Sequence, residues 1–301
     1  MKIRFGYTIG PEVTPAAFPD LVDALEDLGF DSVWVPEVLL APTLDPAVAL
    51  AHAAARTTRL KIGTHVILPG RNPVHLARQL AHLDALSGGR LLLLGVLGLA
   101  EEADTGAQGI DRAARGRAVD EMVPLLRRLW AGETVDHDGP MFPMQGVSVS
   151  PTPVQQPLEL WLAGQVPAAL DRCGRLGDGW MPGLVFPHEA AVMRERVDAA
   201  ALAAGRTMDP EHYGANLFHV TDSVPDEALA RLAARRTAAR GAGAGDDVAD
   251  LVPVGHDALR ARVGEWVDAG FSKFLVRPLV PAADPLTELE RLADEILPLT
   301  T

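Results

Sequence analysis

The chain has 301 residues, 48% hydrophobic and 22% charged, a composition that can fill a large core and excludes wholesale disorder. Its net charge of −13 and pI near 5.1 oppose phosphate backbones and anionic lipid, so neither nucleic acid nor a membrane is an expected partner. One cysteine, Cys173, allows no intrachain disulfide, and MKIRFGYTIGPE enters a strand pattern without an apolar leader, which together point to a cytoplasmic protein.

In chain order, IRFGYTI (3–9) reads as a strand, PAAFPDLVDALEDLG (15–29) as a helix stopped by Gly29, and DSVWVPE (31–37) as a second strand. The alternation repeats. DPAVALAHAAARTT (45–58) is helical, LKIGTHVIL (60–68) is the third strand, PVHLARQLAHLDALSGG (73–89) is a helix with a glycine stop, and RLLLLGV (90–96) is the fourth strand. RGRAVDEMVPLLRRLWAG (115–132) predicts a long helix, followed by a polar hairpin-like excursion at ETVDHDGPMF (133–142). The remaining strand candidates are PLELWLAG (157–164), DGWMPGL (178–184), GANLFHVTD (214–222) and SKFLVRP (272–278), the last two separated by a long helical segment. Cys173 falls on the inner face of a predicted helix, in a packing position. The arginines of RLAARRTAAR (Arg231, Arg235, Arg236, Arg240) read as a solvated helix face, and RGAGAGDD (240–247) as a flexible loop.

Successive β-α units require a parallel sheet with right-handed crossovers. The first strand-helix turn, YTIGPEVTP, lacks the GxGxxG of a dinucleotide-binding sheet, and the count of about eight strands favours a closed barrel. The expectation is one domain over residues 1–301: an α/β single (β/α)8 TIM-type barrel with insertions.

Barrel chemistry belongs at strand C-terminal ends. Tyr7, Thr8, Glu37, Thr64, His65, Gly98, Gly164, Gln165, Pro182, Gly183 and His219 fall there. Lys2, Lys61 and Lys273, the only lysines, each begin a strand at the opposite end, which removes Schiff-base chemistry. His65, His219 and Glu37 lack the short ligand spacing that makes a zinc motif specific, and Glu37 has no second strand-end carboxylate for glycoside cleavage.

Six segments in order, TTRLKIGTHVILPGRNPVHLARQLAHLDALSGGRLLLLGV (57–96), GIDRAARGRAVDEMVPLLRRLWAGETVDHDGPMF (109–142), PTPVQQPLELWLAG (151–164), GRLGDGWMP (174–182), VGHDALRARVGEWVDAGFSKFLV (254–276) and LADEILP (292–298), resemble the bacterial luciferase-like superfamily, particularly its branch of oxidoreductases using the deazaflavin coenzyme F420. The resemblance implies hydride transfer between F420 and a small organic substrate. Its alternatives are a monooxygenase using reduced FMN from a separate flavin reductase, and a non-redox or flavin-binding homologue with an altered pocket.

The resemblance also implies a site. Glu37 would lie near the ring. Thr64, His65 and Val66 would form a bulge behind it, with a cis peptide at His65–Val66, and Glu37 and His65 are the catalytic candidates. Gly164, Gln165 and Val166 would hold the cofactor phosphate through backbone N–H groups, with Gly183 closing over it. Two positions depart from the pattern: Val38 replaces a common histidine, and Leu97 stands in GVLG where relatives have glycine against the cofactor. Relatives pair through early helices such as VALAHAAARTT (48–58), so a homodimer is expected.

Overall fold

The computed structural model describes residues 1–99, 101–241, 244, 248–282 and 284–301. Most of the RGAGAGDD segment therefore lies outside the described residues. The first half alternates as β1 (Arg4–Thr8), α1 (Phe18–Leu28), β2 (Ser32–Pro36), α2 (Pro46–Arg56), β3 (Lys61–Ile67), α3 (Pro73–Ser87) and β4 (Leu91–Val96). The punctuation is chemical. Gly29 and Gly88 end α1 and α3 at φ 89° and 66°, a conformation that costs glycine little. Asn72 starts α3 by accepting from the Val74 and His75 N–H groups at 2.9 and 3.1 Å, with Pro73 at the first helical position.

The second half is less regular. It comprises α4 (Glu102–Ala107), α5 (Arg115–Trp130), the hairpin β5 (Val135–His137) with β6 (Met144–Val147), β7 (Trp161–Leu162), α6 (Pro167–Leu176), α7 (Pro187–Ala203), β8 (Gly214–His219), α8 (Asp226–Arg240), α9 (His256–Asp268), β9 (Lys273–Pro278) and α10 (Pro285–Ile296). Cys173 is buried in α6, and burial pushes its thiol up to about 12, so it packs rather than reacts.

Among the described residues seven parallel strands form one sheet in the order β7-β4-β3-β2-β1-β9-β8. The strand expected at DGWMPGL is corrected here, since that segment forms none. Trp180 alone spans the gap between the sheet's edges, through isolated parallel bridges to Leu162 and Tyr213. Its N–H donates to His212 O (2.9 Å), and its carbonyl accepts from the Gly214 N–H (3.0 Å). On the other side Met181 N–H donates to Leu162 O (3.2 Å). Pairing stops there because Pro182 has no N–H to give.

Alternation along the strands directs a second apolar cluster inward: Trp34, Leu94, Met181 and Leu275, with Trp161 and Ala163 against them. The two indoles fit because their neighbours lack side chains. A Cβ on Gly63 would lie 2.5 Å from the Trp34 ring, and one on Gly179 2.3 Å from the Trp161 ring. Below this plug, at the N-terminal strand ends, Asp31 receives Lys61 Nζ at 2.8 Å and also pairs with Lys273. Two of the three lysines thus close the bottom of the sheet, as their positions at strand starts require; Lys2 is exposed.

Candidate active site

At the C-terminal strand ends the inward-facing residues enclose a cavity of about 260 Å³. Leu94, Met181 and Leu275 form its floor; Thr8, Pro36, His65, Ala163 and Asn216 form its walls. This is close to the lower end of the ~300–1,000 Å³ usual for small-molecule sites, with the usual apolar surface and few polar groups. Two of those groups are orphans: Thr8 Oγ1 and His65 Nε2 are buried without a hydrogen-bond partner among the described residues. The His65 ring leans on Trp34, with centroids 5.4 Å apart. Burial first, and then the charge of Arg277, push the His65 pKa down to about 4, so the imidazole is neutral at pH 7.

Glu37 also lines the cavity, but both of its oxygens are engaged. One accepts from the Ile67 N–H at 2.7 Å and the other pairs with Arg71 from the β3-α3 loop. With Glu37 N–H donating to His65 O at 3.1 Å, the carboxylate braces the ends of β2 and β3. Val38 lies beside it on the cavity wall and brings no ionisable group there.

The other sequence-predicted residues divide. Gly183 lines the cavity. Thr64 and Val66 do not: their side chains point to the outer face of the sheet, between it and α2 and α3, because neighbours of an inward His65 must face outward. Leu97 likewise packs against the outer core, leaving Gly98 and Leu99 at the cavity edge. Gly164 sits behind the wall at φ 148°, where a Cβ would lie 2.4 Å from Ala169 Cβ, and its carbonyl accepts from Trp180 Nε1 at 3.0 Å. Gln165 donates to Gly183 O, while its own Oε1 is buried without a partner among the described residues. Val166 is the N-cap of α6, and no side chain caps that helix.

The expected cis bond is also corrected. Among the described residues the cis peptides are Ser150–Pro151 and Gln156–Pro157, so His65–Val66 is trans. Pairing explains the difference: β3 stays in unbroken register with β4 through His65↔Leu94, Val66↔Gly95 and Ile67↔Val96, leaving no bulge.

His219 points away from the mouth into a neighbouring cavity of about 550 Å³ beside Glu288 and Arg291. Burial lowers its pKa to about 4 despite Glu288. Glu37, His65 and His219 are not brought together, and among the described residues no three His, Cys, Asp or Glu side chains are placed to hold a metal ion. Arg277 and Arg235 do line the mouth. Arg277 sits at the end of an inward-phased strand and was accessible to the same strand-end reasoning as His65. Arg235, read from sequence as a solvated position, has no sequence signal separating it from the rest of α8.

This arrangement, an inward apolar floor and convergent polar groups at the C-terminal ends of a parallel sheet, is that of an α/β enzyme. The family model for luciferase-like monooxygenases matches residues 2–292, and the chain belongs to that family, a family of oxidoreductases. An F420-dependent glucose-6-phosphate dehydrogenase of Beutenbergia cavernae is 29% identical over 98% of this chain and 97% of its own. A sulfoquinovose monooxygenase of Agrobacterium fabrum is 31% identical over 69% of this chain, which spans 53% of that relative's length. The crystal structure of a monooxygenase from Streptomyces bottropensis matches with TM-score 0.79 at 26% identity, covering 99% of each chain.

Proposed function

We propose that this chain moves a hydride between the deazaflavin coenzyme F420 and a small organic substrate. The mouth carries this reading: an apolar floor under a neutral His65 with an unpaired Nε2, with Ala163 on the wall shortly before the turn into α6. The residues present fit a flat conjugated ring with a phosphate-bearing tail. Thr8 Oγ1 and His65 Nε2 are free to meet polar ring edges, and the Ala168 N–H in the first turn of α6, unpaired among the described residues, suits a phosphate. When bound, such a ring would supply the hydride chemistry that no side chain here offers. The protein's part is positional. The apolar floor excludes water, Glu37 and Arg71 fix the end of β3, and His65 can hold a proton at Nδ1 or Nε2 beside the reacting centre. Whole-length likeness to the Beutenbergia dehydrogenase supports the deazaflavin.

A second reading, a monooxygenase using reduced FMN from a separate reductase, draws support from the Agrobacterium and Streptomyces relatives. Fluorescence titration with FMN and with F420 separates the two. We expect micromolar affinity for F420 and weaker affinity for FMN; the reverse order favours the monooxygenase, and binding of neither leaves a non-redox homologue.

We read the frame beneath this site as a closed barrel, with Trp180 in place of the eighth strand, and the protein as a homodimer. Val48 and Leu86, on α2 and α3, are 72% and 66% exposed, which suits a helical interface. Light scattering is expected to give twice the 32.0 kDa chain mass; a monomer at high concentration contradicts the pairing. Among the described residues no helix is long and apolar enough to cross a membrane.

A further inference from the structure

Several arginines of this chain are tied down by neighbouring oxygens. Arg90 donates to Ser87 O, Leu60 O, Ala54 O, Thr57 O and Thr57 Oγ1, and Arg115 holds Leu97 O, Leu99 O and Thr105. Arg277 is different. It is the inward residue at the top of β9, half-buried on the cavity wall, and makes no hydrogen bond or ion pair with any described residue. Its guanidinium carbon lies 5.9 Å from the centroid of the Phe218 ring, which supports it from one side.

A second guanidinium shares the cavity. Arg235 reaches the rim from α8, also without a partner among the described residues. The next residue, Arg236, is buried and pins the helix: it donates to Leu184 O and pairs with Glu189 at 2.9 Å. That anchorage keeps Arg235 over the mouth. The half-buried Arg277 and the exposed Arg235 face one cavity and repel each other; Glu12 offsets part of that charge on Arg277 without pairing with it, and a bound anion would relieve the remainder. In a chain of net charge −13, such a focus of positive potential also draws anions to the mouth.

We propose that Arg277 and Arg235 form an oxyanion-binding subsite that receives a carboxylate, sulfonate or phosphate group on the substrate. This rests on the redox reading above and adds the substrate class to it. A planar guanidinium can take two oxygens of such a group, fixing the remainder of the molecule over the apolar floor towards His65. The phosphate of a bound cofactor has the same chemistry. Its expected seat, however, is the first turn of α6 after β7, separated from β9 by Trp180 and β8 around the sheet.

The test uses the whole protein and binding alone. Inorganic phosphate is titrated at constant ionic strength while the His65 ring is followed by NMR. In the parent protein, occupancy beside Arg277 should raise the His65 midpoint from its position near 4. Arg277→Met, which removes an unpaired charge and should fold normally, is expected to raise that midpoint without phosphate and to weaken phosphate binding about tenfold; Arg235→Met should weaken it less. Unchanged phosphate affinity in Arg277→Met overturns the subsite. FMN and riboflavin titrations identify the source of the anion. If Arg277→Met weakens FMN but not riboflavin, the arginine serves the cofactor phosphate and the substrate assignment is overturned. Equal affinities for both flavins in parent and variant, with phosphate binding lost, uphold it. Failure of the parent to bind any flavin or deazaflavin counts against the redox reading alone.

Discussion

Replacing Val166 with aspartate is expected to make the fold more stable and the cofactor site weaker. Val166 is the N-cap of α6, extended at φ −78° and ψ 153°, about half exposed and without a side-chain cap. Aspartate is among the best residues at that position, accepting from the N–H groups of the first turn, and the gain should be about 1 kcal/mol. That turn directly follows Gly164, Gln165 and Val166, whose backbone N–H groups are assigned to the cofactor phosphate. A carboxylate seated on that turn repels the phosphate, a loss on the order of 2–3 kcal/mol, or roughly thirty- to a hundredfold in affinity. Gly164 is a poorer place to ask the question. Its φ of 148° and the 2.4 Å approach of Ala169 Cβ mean that any side chain there strains the fold as well as the site. Thermal unfolding and FMN or F420 titration therefore move in opposite directions for Val166→Asp. A more stable variant that binds as tightly as the parent would place the phosphate elsewhere.

How much was legible in the sequence follows from how each element is made. The first four strands and three helices carry long periodic runs with glycine, proline and Asx punctuation, and they form at the expected places. PLELWLAG and DGWMPGL could not be read in that way. Their pairing amounts to the two-residue β7 and the bridges of Trp180, too short to show alternation, and Pro182 interrupts DGWMPGL. The strand-end rule put Glu37 and His65 at the mouth, but strand alternation then forces Thr64, Val66 and Leu97 away from it, a consequence already contained in the sequence. Arg277 obeys the same two rules. What no local pattern shows is occupancy: that Arg71 already holds Glu37 while Arg277 remains free depends on contacts between residues distant in the chain.

The second large effect lies at the closed end of the sheet. Asp31→Asn is expected to cost about 3–5 kcal/mol in urea unfolding near neutral pH, because it leaves the buried ammonium of Lys273 without its counter-charge. In the parent, desolvation lowers the Lys273 pKa and Asp31 restrains the fall, leaving it at about 8. Desolvation would raise the Asp31 pKa, but Lys273 and Lys61 outweigh it and hold the carboxyl well below the usual range. These directions fix the pH dependence. A lysine depressed in the folded state loses its penalty as pH rises from its folded to its unfolded pKa, and without Asp31 that relief begins below 8. The deficit of the variant should therefore narrow as pH approaches 8. On the acid side, the stability contributed by the depressed Asp31 is complete above its unfolded pKa of about 3.9 and is lost as pH falls towards its folded value, so the deficit narrows there too. The difference in unfolding free energy should peak between these limits. A deficit independent of pH would mean that Asp31 acts through its hydrogen bonds alone and that Lys273 already sits neutral beneath the Trp34 ring.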